Sequence, residues 1–266
     1  MKSVGIKVNK TEEPSPCMHR RETAKVTFYT IGMIYHRPPG VIAWWSAAFP
    51  GFGYISLCSH LKGYLFIIWE IIINVNSNLN AAIVYAFTGR FDMSIAVVDS
   101  RWLLLYCPVY IFNIWCSYRM AVSINKVAQI TQNQPLSIKP QAITGIGINI
   151  LDKRPPYLAI AWSMLMPGLG HVYTTRLTTA LVLIGIWTMT VFYSGFLPAL
   201  HLTLLGQFGQ AVLTADPQWL LFLPSIYCFS MYDAYAYCVE YNSLFDREQA
   251  QFLHNNYQDA AFEMPL

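Results

Sequence analysis

Charged side chains are scarce in this sequence, since Asp, Glu, Lys and Arg together make up only 12% of its 266 residues. Soluble globular domains carry about 25% charged residues, so the composition excludes an ordinary water-soluble fold. Hydrophobic residues reach 55%, and in water such a chain would expose large apolar patches and aggregate. The composition therefore predicts an integral membrane protein that crosses the bilayer several times.

The sequence also lacks the motifs that carry well-known chemistries. It contains no G-x-S-x-G, no H-E-x-x-H, no Walker phosphate loop and no Cys/His cluster with metal-ligand spacing. We therefore expect no catalytic residues, no cofactor and no metal, and we favour a protein that is not an enzyme. Its basic residues do not form the clustered face that binds nucleic acid, so no nucleic-acid partner is expected.

Two segments of the chain, 37–53 and 154–170, are copies of one pattern. They align without a gap at an offset of 154 − 37 = 117 residues, with eight of seventeen positions identical. The same offset aligns 99–118 with 216–235. Because the register holds over the whole unit, the sequence predicts two tandem copies of one structural module.

The repeat divides the chain into five predicted parts. They are a cytoplasmic N-terminal tail (1–36), membrane repeat 1 (37–122), a cytoplasmic linker (123–153), membrane repeat 2 (154–243) and a C-terminal tail (244–266).

Each repeat contains three apolar stretches, and the first of them is interrupted after about ten residues, whereas a spanning helix needs about 20. Pro disrupts helical hydrogen bonding and Gly permits a tight reversal of the chain. The predicted structural turns consist of Pro50, Gly51, Gly53, Pro167, Gly168 and Gly170. We predict an all-α membrane protein in which each repeat is a short re-entrant or interfacial helix followed by two transmembrane helices. Six full spans arranged as inverted repeats are the alternative.

The positive charges predict the orientation of the chain. Lys and Arg are concentrated in 1–37 and 119–154, immediately before each repeat. Because such flanks stay in the cytoplasm, each repeat must cross the membrane an even number of times. The N-terminus is then cytoplasmic, and the loops predicted at 88–101 and 201–216 lie outside.

A few polar residues interrupt the apolar stretches. Glu70, Asn74 and Asn78 are spaced i, i+4, i+8 and would share one helix face, and Asp233 lies in the second repeat. Intramembrane acids face a protein interior or a water-filled cavity. These four residues are our candidates for a polar path, and hydrogen bonding between helices is the reading that we favour for them.

Three other polar residues are assigned structural roles. His171 follows Gly170 directly, and Tyr54 occupies the equivalent position of the first repeat. We interpret His171 as a polar ring at an interface rather than as a metal ligand. Asp99 and Asp216 precede apolar stretches and are predicted to cap helices.

The string PGLGHVY at 167–173 resembles a Pro-Gly-x-Gly-x-x-Tyr turn that links two hydrophobic helices in a broad group of small bacterial membrane proteins. The first copy has Ser56 where that Tyr would stand. The segment 37–122 also looks like uncharacterised membrane proteins of spore-forming Firmicutes. The resemblance implies a bacterial cell (inner) membrane and a helix-turn-helix membrane module, and it implies no activity.

These observations favour a non-enzymatic integral membrane protein that acts as a membrane assembly or scaffold component. Its expected partners are the lipid bilayer and either a further copy of itself or another membrane protein. A channel or transporter for an ion or a small polar solute, using the face of Glu70, Asn74 and Asn78, is the alternative. A lipid-modifying enzyme that uses Glu70 or Asp233 is the least favoured reading.

Overall fold

The computed structural model describes residues 23–131, 136, 138–145 and 147–257, and this part of the chain is predominantly helical. The predicted all-α class is confirmed. The first series of elements comprises β1 (Ala24–Val26), β2 (Ile31–Met33), α1 (Pro39–Ala48), α2 (Phe52–Ser56), α3 (His60–Ser77), α4 (Leu79–Phe87), α5 (Phe91–Val97) and α6 (Ser100–Thr131). The second comprises β3 (Gln141–Thr144), β4 (Gly147–Ile150), α7 (Pro156–Leu165), α8 (Leu169–Tyr173), α9 (Leu177–Ser194), α10 (Phe196–Leu204), α11 (Phe208–Thr214), α12 (Pro217–Leu220) and α13 (Phe222–Tyr257).

The two series follow the same spacing along the chain. Each of the helices α1–α6 begins 117 residues before its counterpart among α7–α12, as in 156 − 39 and 217 − 100. Left-handed backbone angles recur at the same offset, with φ of 53° at Asn78 and 63° at Gly195. The helix starts and these left-handed residues therefore follow one spacing in both series.

Short helices occupy the segments for which the sequence predicted external loops at 88–101 and 201–216. The chain bends by 62° between α3 and α4, and by 89° between α5 and α6. The backbone N–H of Asp99 donates to the carbonyl of Ser77 at 3.2 Å, and Asp216 makes the equivalent bond to Ser194 at 2.9 Å. These bonds return the chain to the end of α3 or α9, next to the start of α6 or α12.

Two names are used below for the ends of each series. The far end is where α3 or α9 finishes and α6 or α12 starts, and the near end is where α3 or α9 begins. Both predicted caps at the far end are confirmed. The side chain of Asp99 accepts from the N–H of Arg101 at 2.9 Å, and that of Asp216 accepts from Gln218 at 2.8 Å.

The near end carries two antiparallel β-hairpins, β1–β2 and β3–β4, that the sequence analysis did not predict. The tip of the first hairpin is held because Asn149 donates to the carbonyl of Thr27 at 2.8 Å and Leu177 donates to that of Tyr29 at 2.9 Å. The hairpins pack against Tyr237, Tyr241 and Leu244 of α13. Apolar contacts therefore extend past the stretches that the sequence predicts to lie in a membrane.

Several predicted boundaries consequently differ from the structure. The segment 1–36, predicted as a tail, contains β1 and β2, and the linker 123–153 contains the end of α6 together with β3 and β4. The tail predicted at 244–266 is helical as far as Tyr257. Residues 1–22 and 258–266 lie outside the described residues.

The Pro-Gly-x-Gly segments form the turns between α1 and α2 and between α7 and α8. Gly51 and Gly168 adopt φ values of 102° and 101°, which favour glycine. A Cβ on Gly53 would lie 2.2 Å from the Ser46 hydroxyl oxygen and 2.5 Å from the Ile42 carbonyl oxygen. The short helix α2 can fold back onto α1 only because this position has no side chain.

The main core lies between the two series. Phe49, Phe52, Ile55 and Ile67 of the first pack against Leu183, Phe222, Ile226 and Phe229 of the second. By length and hydropathy, Leu177–Ser194 is the one described helix that could cross a membrane alone. The number rises to three if the bent pairs α3–α4 and α5–α6 each count as one span.

The close approach at Gly53 generates a stability prediction. Gly53→Ala should lower the free energy of unfolding by about 1–3 kcal/mol, because the new methyl group must displace backbone and the Ser46 side chain. Thermal unfolding of the purified protein in mild detergent measures the change. Gly40→Ala is the control, since a Cβ there meets no atom within 4 Å. Equal melting temperatures for the two variants would contradict the packing at this turn.

Candidate functional site

A buried carboxylate, Asp233 of α13, lies at the centre of a cluster between the two series. Its Oδ2 is 2.5 Å from Nη1 of Arg176 and 3.2 Å from Nε2 of His171. Its Oδ1 accepts a hydrogen bond from the hydroxyl of Ser56 at 2.6 Å, and Nη2 of Arg37 lies 4.0 Å away. We call these five residues the Asp233 cluster. All of them are buried in the protein.

Arg176 is held in place on three sides. It stands at the N-terminus of α9, where its Nη2 donates to the carbonyl of Ile55 at 2.9 Å. Its guanidinium lies over the ring of Tyr237, 4.4 Å from the centroid. Tyr237 in turn donates to the carbonyl of Ile31 at 2.7 Å. One cation thus links α2, α9, α13 and the first hairpin.

Arg37 approaches the cluster from the start of α1. Its backbone N–H and C=O are both bonded to the amide of Asn125, at 2.9 and 2.8 Å. Its guanidinium donates to the hydroxyl of Tyr35 and, at 3.4 Å, to that of Tyr232. Asn242 clamps the backbone of Arg154 in the same way, at 2.9 and 2.6 Å.

The side chains of these two equivalent arginines nevertheless differ in their surroundings. Arg154 donates to the carbonyl of Tyr173 and lies 5.3 Å from the ring centroid of Tyr241. Only Arg37 is directed toward a buried carboxylate.

Burial and the negative charge of Asp233 act in opposite directions on the pKa values of Arg176 and His171. Burial is the largest single influence on the pKa of Arg176 and lowers it, but Asp233, together with Cys58, Tyr237 and Tyr35, raises the pKa by more in total, so Arg176 stays charged. Burial also lowers the pKa of His171, and the opposing effect of Asp233 is smaller, so the imidazole is neutral. A neutral imidazole donates to the carboxylate through Nε2–H. The cluster therefore holds two cations and one anion.

A second polar cluster lies at the far end. Asn74 donates to Glu70 at 2.8 Å and to Asn80 at 3.1 Å. Gln218 of α12 donates to the side-chain oxygen of Asn74 at 2.9 Å and accepts from the N–H of Ala81 at 2.9 Å. We call Glu70, Asn74, Asn80 and Gln218 the Glu70 cluster. Its hydrogen bonds join α3 and α4 to α12.

The four residues predicted to line a polar path do not form one group. Glu70 and Asn74 are bonded to each other, whereas Asn78 ends α3 and its side chain donates to the carbonyl of Val97 at 3.3 Å. The helix stops before the i+8 position, so the shared face predicted for Asn78 is not formed. Asp233 belongs to the other cluster.

His171, predicted from the sequence to be a polar ring at an interface, is instead completely buried beside Asp233.

The sequence analysis missed three members of the Asp233 cluster: Ser56, Arg37 and Arg176. A usable signal was present in the comparison of the two repeats. The positions equivalent to His171, Arg176 and Asp233 in the first repeat are Tyr54, Ser59 and Cys116. Three ionisable residues thus occur in one repeat only, and in the structure these three residues contact one another.

No group of three or more His, Cys, Asp or Glu side chains within the described ranges has the arrangement of a metal site. Comparisons of the chain with protein-family models, with curated proteins and with solved structures gave no match.

The Asp233 cluster generates a second prediction. Asp233→Asn leaves Arg176 and Arg37 buried without a counter-charge and should cost about 3–5 kcal/mol of stability. Asp246→Asn is the matched control, because Asp246 pairs with Lys153 at 2.9 Å on the exposed surface and such pairs contribute about 0–1 kcal/mol. Both are measured by thermal unfolding in detergent.

A double-mutant cycle with Arg176→Gln tests whether the loss comes from the pair itself. The two substitutions should be strongly non-additive. Additive losses, or equal losses in Asp233→Asn and Asp246→Asn, would contradict the ion pair.

Proposed function

We propose that this chain is a non-enzymatic, polytopic protein of the bacterial cell membrane, built from two tandem repeats and acting as a membrane assembly component. The observation that carries the proposal is the distribution of side chains around the bundle. Large apolar residues point outward from helices of both series, including Phe192 (77% exposed), Leu104 (74%) and Leu181 (71%). Between the helices, the charged side chains of Glu70, Arg176 and Asp233 are buried instead. Lipid is the solvent that makes this arrangement stable.

Helix lengths support four spans rather than six. At about 1.5 Å per residue, the 18 residues of α3 and of α9 extend about 27 Å, close to the hydrocarbon thickness of about 30 Å. The 32 residues of α6 and the 36 of α13 are longer still. The ten-residue helices α1 and α7 extend only about 15 Å. They fit re-entrant or interfacial positions.

The contacts between the repeats support a parallel arrangement. At the near end, Ser56 of the first repeat meets Asp233, and Ile55 meets Arg176. At the far end, Asn74 and Asn80 of the first repeat meet Gln218 of the second. Inverted repeats would instead place the near end of one beside the far end of the other. The same orientation of both repeats agrees with basic flanks on a single side of the membrane.

Cysteine labelling tests the proposed topology. In a variant without native cysteines, Asp92→Cys at the far end should react with a membrane-impermeant maleimide added to intact cells. Lys139→Cys beside the second hairpin should react only after the membrane is opened. Both positions are exposed in the structure, so folding does not hide them. Labelling of Lys139→Cys in intact cells would favour six spans, and loss of the protein from membranes washed with carbonate would contradict membrane insertion.

The buried polar groups support an assembly role because they are bonded to one another within the chain. Both carboxylate oxygens of Asp233 are bonded to side chains of this chain, and the amides of Asn74 and Gln218 are bonded to each other. Hydrogen bonds of this kind between helices stabilise packing in membranes. The polar residues thus connect the repeats.

A channel or transporter is the second candidate, and one observation favours it. Oε2 of Glu70 is buried without a hydrogen bond of normal geometry from the described residues, although the hydroxyl of Tyr106 interacts with this carboxylate. If the protein conducts an ion, Glu70→Gln should abolish the flux of that ion in proteoliposomes, because the carboxylate charge is lost while the bond to Asn74 can be kept. Asp92→Asn, on the exposed far-end surface, is the control. Absence of cation or anion flux in the unmodified protein would reject this candidate.

A further inference from the structure

The interface between the repeats uses a different face of each repeat. The first contributes Trp45, Phe49, Phe52, Asn74 and Asn80, which we call the groove face. The second contributes Gln218, Phe222, Phe229 and Tyr232, which we call the ridge face. The ring of Phe229 lies 4.0 Å from that of Phe52 and 5.4 Å from that of Trp45. Phe222 lies 5.6 Å from Phe49, and Gln218 bonds to Asn74 at 2.9 Å.

Both faces have counterparts on the opposite repeat, where every equivalent residue is partly or largely exposed. The groove face of the second repeat consists of Trp162, Met166, Leu169, Val191 and Leu197, and the ridge face of the first consists of Arg101, Leu105, Phe112 and Trp115. Phe112 is 57% exposed, whereas its counterpart Phe229 is 0% exposed. Leu105 is 58% exposed and its counterpart Phe222 only 4%.

A cavity marks the vacant groove face. Its volume is about 390 Å³. It is lined by residues that include Met166, Trp187, Val191, Leu197 and Pro198. The equivalents of Met166, Val191, Leu197 and Pro198 are Phe49, Asn74, Asn80 and Ala81, which all contact the ridge face of the second repeat.

We propose that the ridge face of a second copy of this chain occupies the vacant groove face, so that the protein assembles head to tail in the membrane. The proposal rests on the membrane assembly role and names its partner. If the two repeats were related by a two-fold axis, the ridge face of each repeat would occupy the groove face of the other, and both groove faces would be filled within one chain. One groove and one ridge remain unused, and a contact between unlike faces continues from copy to copy until a ring closes.

The side chains on the two vacant faces suit such a contact. Leu105 would pack on Met166, and Phe112 on Trp162 and Leu169, as their counterparts do within the chain. Arg101 replaces Gln218, whose amide donates to the backbone carbonyl of Asn74 at 3.1 Å. The equivalent carbonyl of Val191 lies in the last turn of α9, where the helix dipole favours a cation. Arg101 can therefore take the place of Gln218.

The test is cross-linking between two differently tagged copies in the same membrane. Without native cysteines, one copy carries Phe112→Cys and the other carries Trp162→Cys, and a short bismaleimide is added. A cross-linked pair containing both tags is expected when the two copies are expressed together, and none when either is expressed alone. Leu181→Cys replaces Trp162→Cys in the control, because Leu181 is an exposed residue of α9 outside the groove.

A second measurement does not depend on substitutions in the interface. Fluorescently tagged wild-type protein in vesicles should bleach in two or more steps per particle. Single-step bleaching overturns the proposal, as does a monomer whose mass includes a bound phospholipid, because lipid then occupies the groove.

Cross-linking of either variant with itself overturns the proposal by showing that like faces meet. If the protein resists carbonate extraction but gives no cross-link, the head-to-tail contact is overturned and the membrane assembly role is not. Protein that carbonate removes overturns both this contact and the membrane assembly role.

Discussion

The pairing of Asp233 with Arg176 is the interaction on which the arrangement of the two repeats depends. An isolated carboxylate or guanidinium in an apolar interior is strongly unfavourable, and here the two lie 2.5 Å apart. Ser56 and the carbonyl of Ile55 complete their hydrogen bonding from the first repeat. The ion pair lies within the second repeat, and its hydrogen bonding is complete only when the first repeat supplies Ser56 and Ile55, so these two bonds favour one relative position of the repeats. The aromatic contacts of Phe49, Phe52 and Phe229 then fill that position.

Local features of the fold could be predicted from the sequence because local chemistry determines them. The turns at Gly51 and Gly168 require a residue without Cβ, and Asp99 and Asp216 cap the helices that follow them. The partners of Asp233 could not be predicted in this way. Arg176 is 57 residues away and Ser56 is 177 residues away in the chain. Their meeting is set by how α2, α9 and α13 pack, which no short pattern encodes.

The hairpins were missed for a related reason. The strands are three or four residues long, too short for a clear alternation of apolar and polar residues. They are stabilised by contacts with Tyr237 and Tyr241 of α13.

The side-chain differences between the two repeats also depend on residues that are distant in the sequence. Glu70 and Asn74 are buried against Gln218, and the equivalent Trp187 and Val191 border the vacant groove. The same helix is thus buried against the other repeat in one copy and borders the groove in the other, and its side chains differ accordingly.

The length of α13 has a mechanical consequence. Its 36 residues measure about 54 Å, well beyond the thickness of a hydrocarbon core of about 30 Å. The part beyond the near end is continuous with the segment that holds Asp233, and the hairpins are packed along it. No hinge separates the two parts within this helix. A pull or rotation applied to the part beyond the near end would therefore be transmitted along the continuous helix to Asp233.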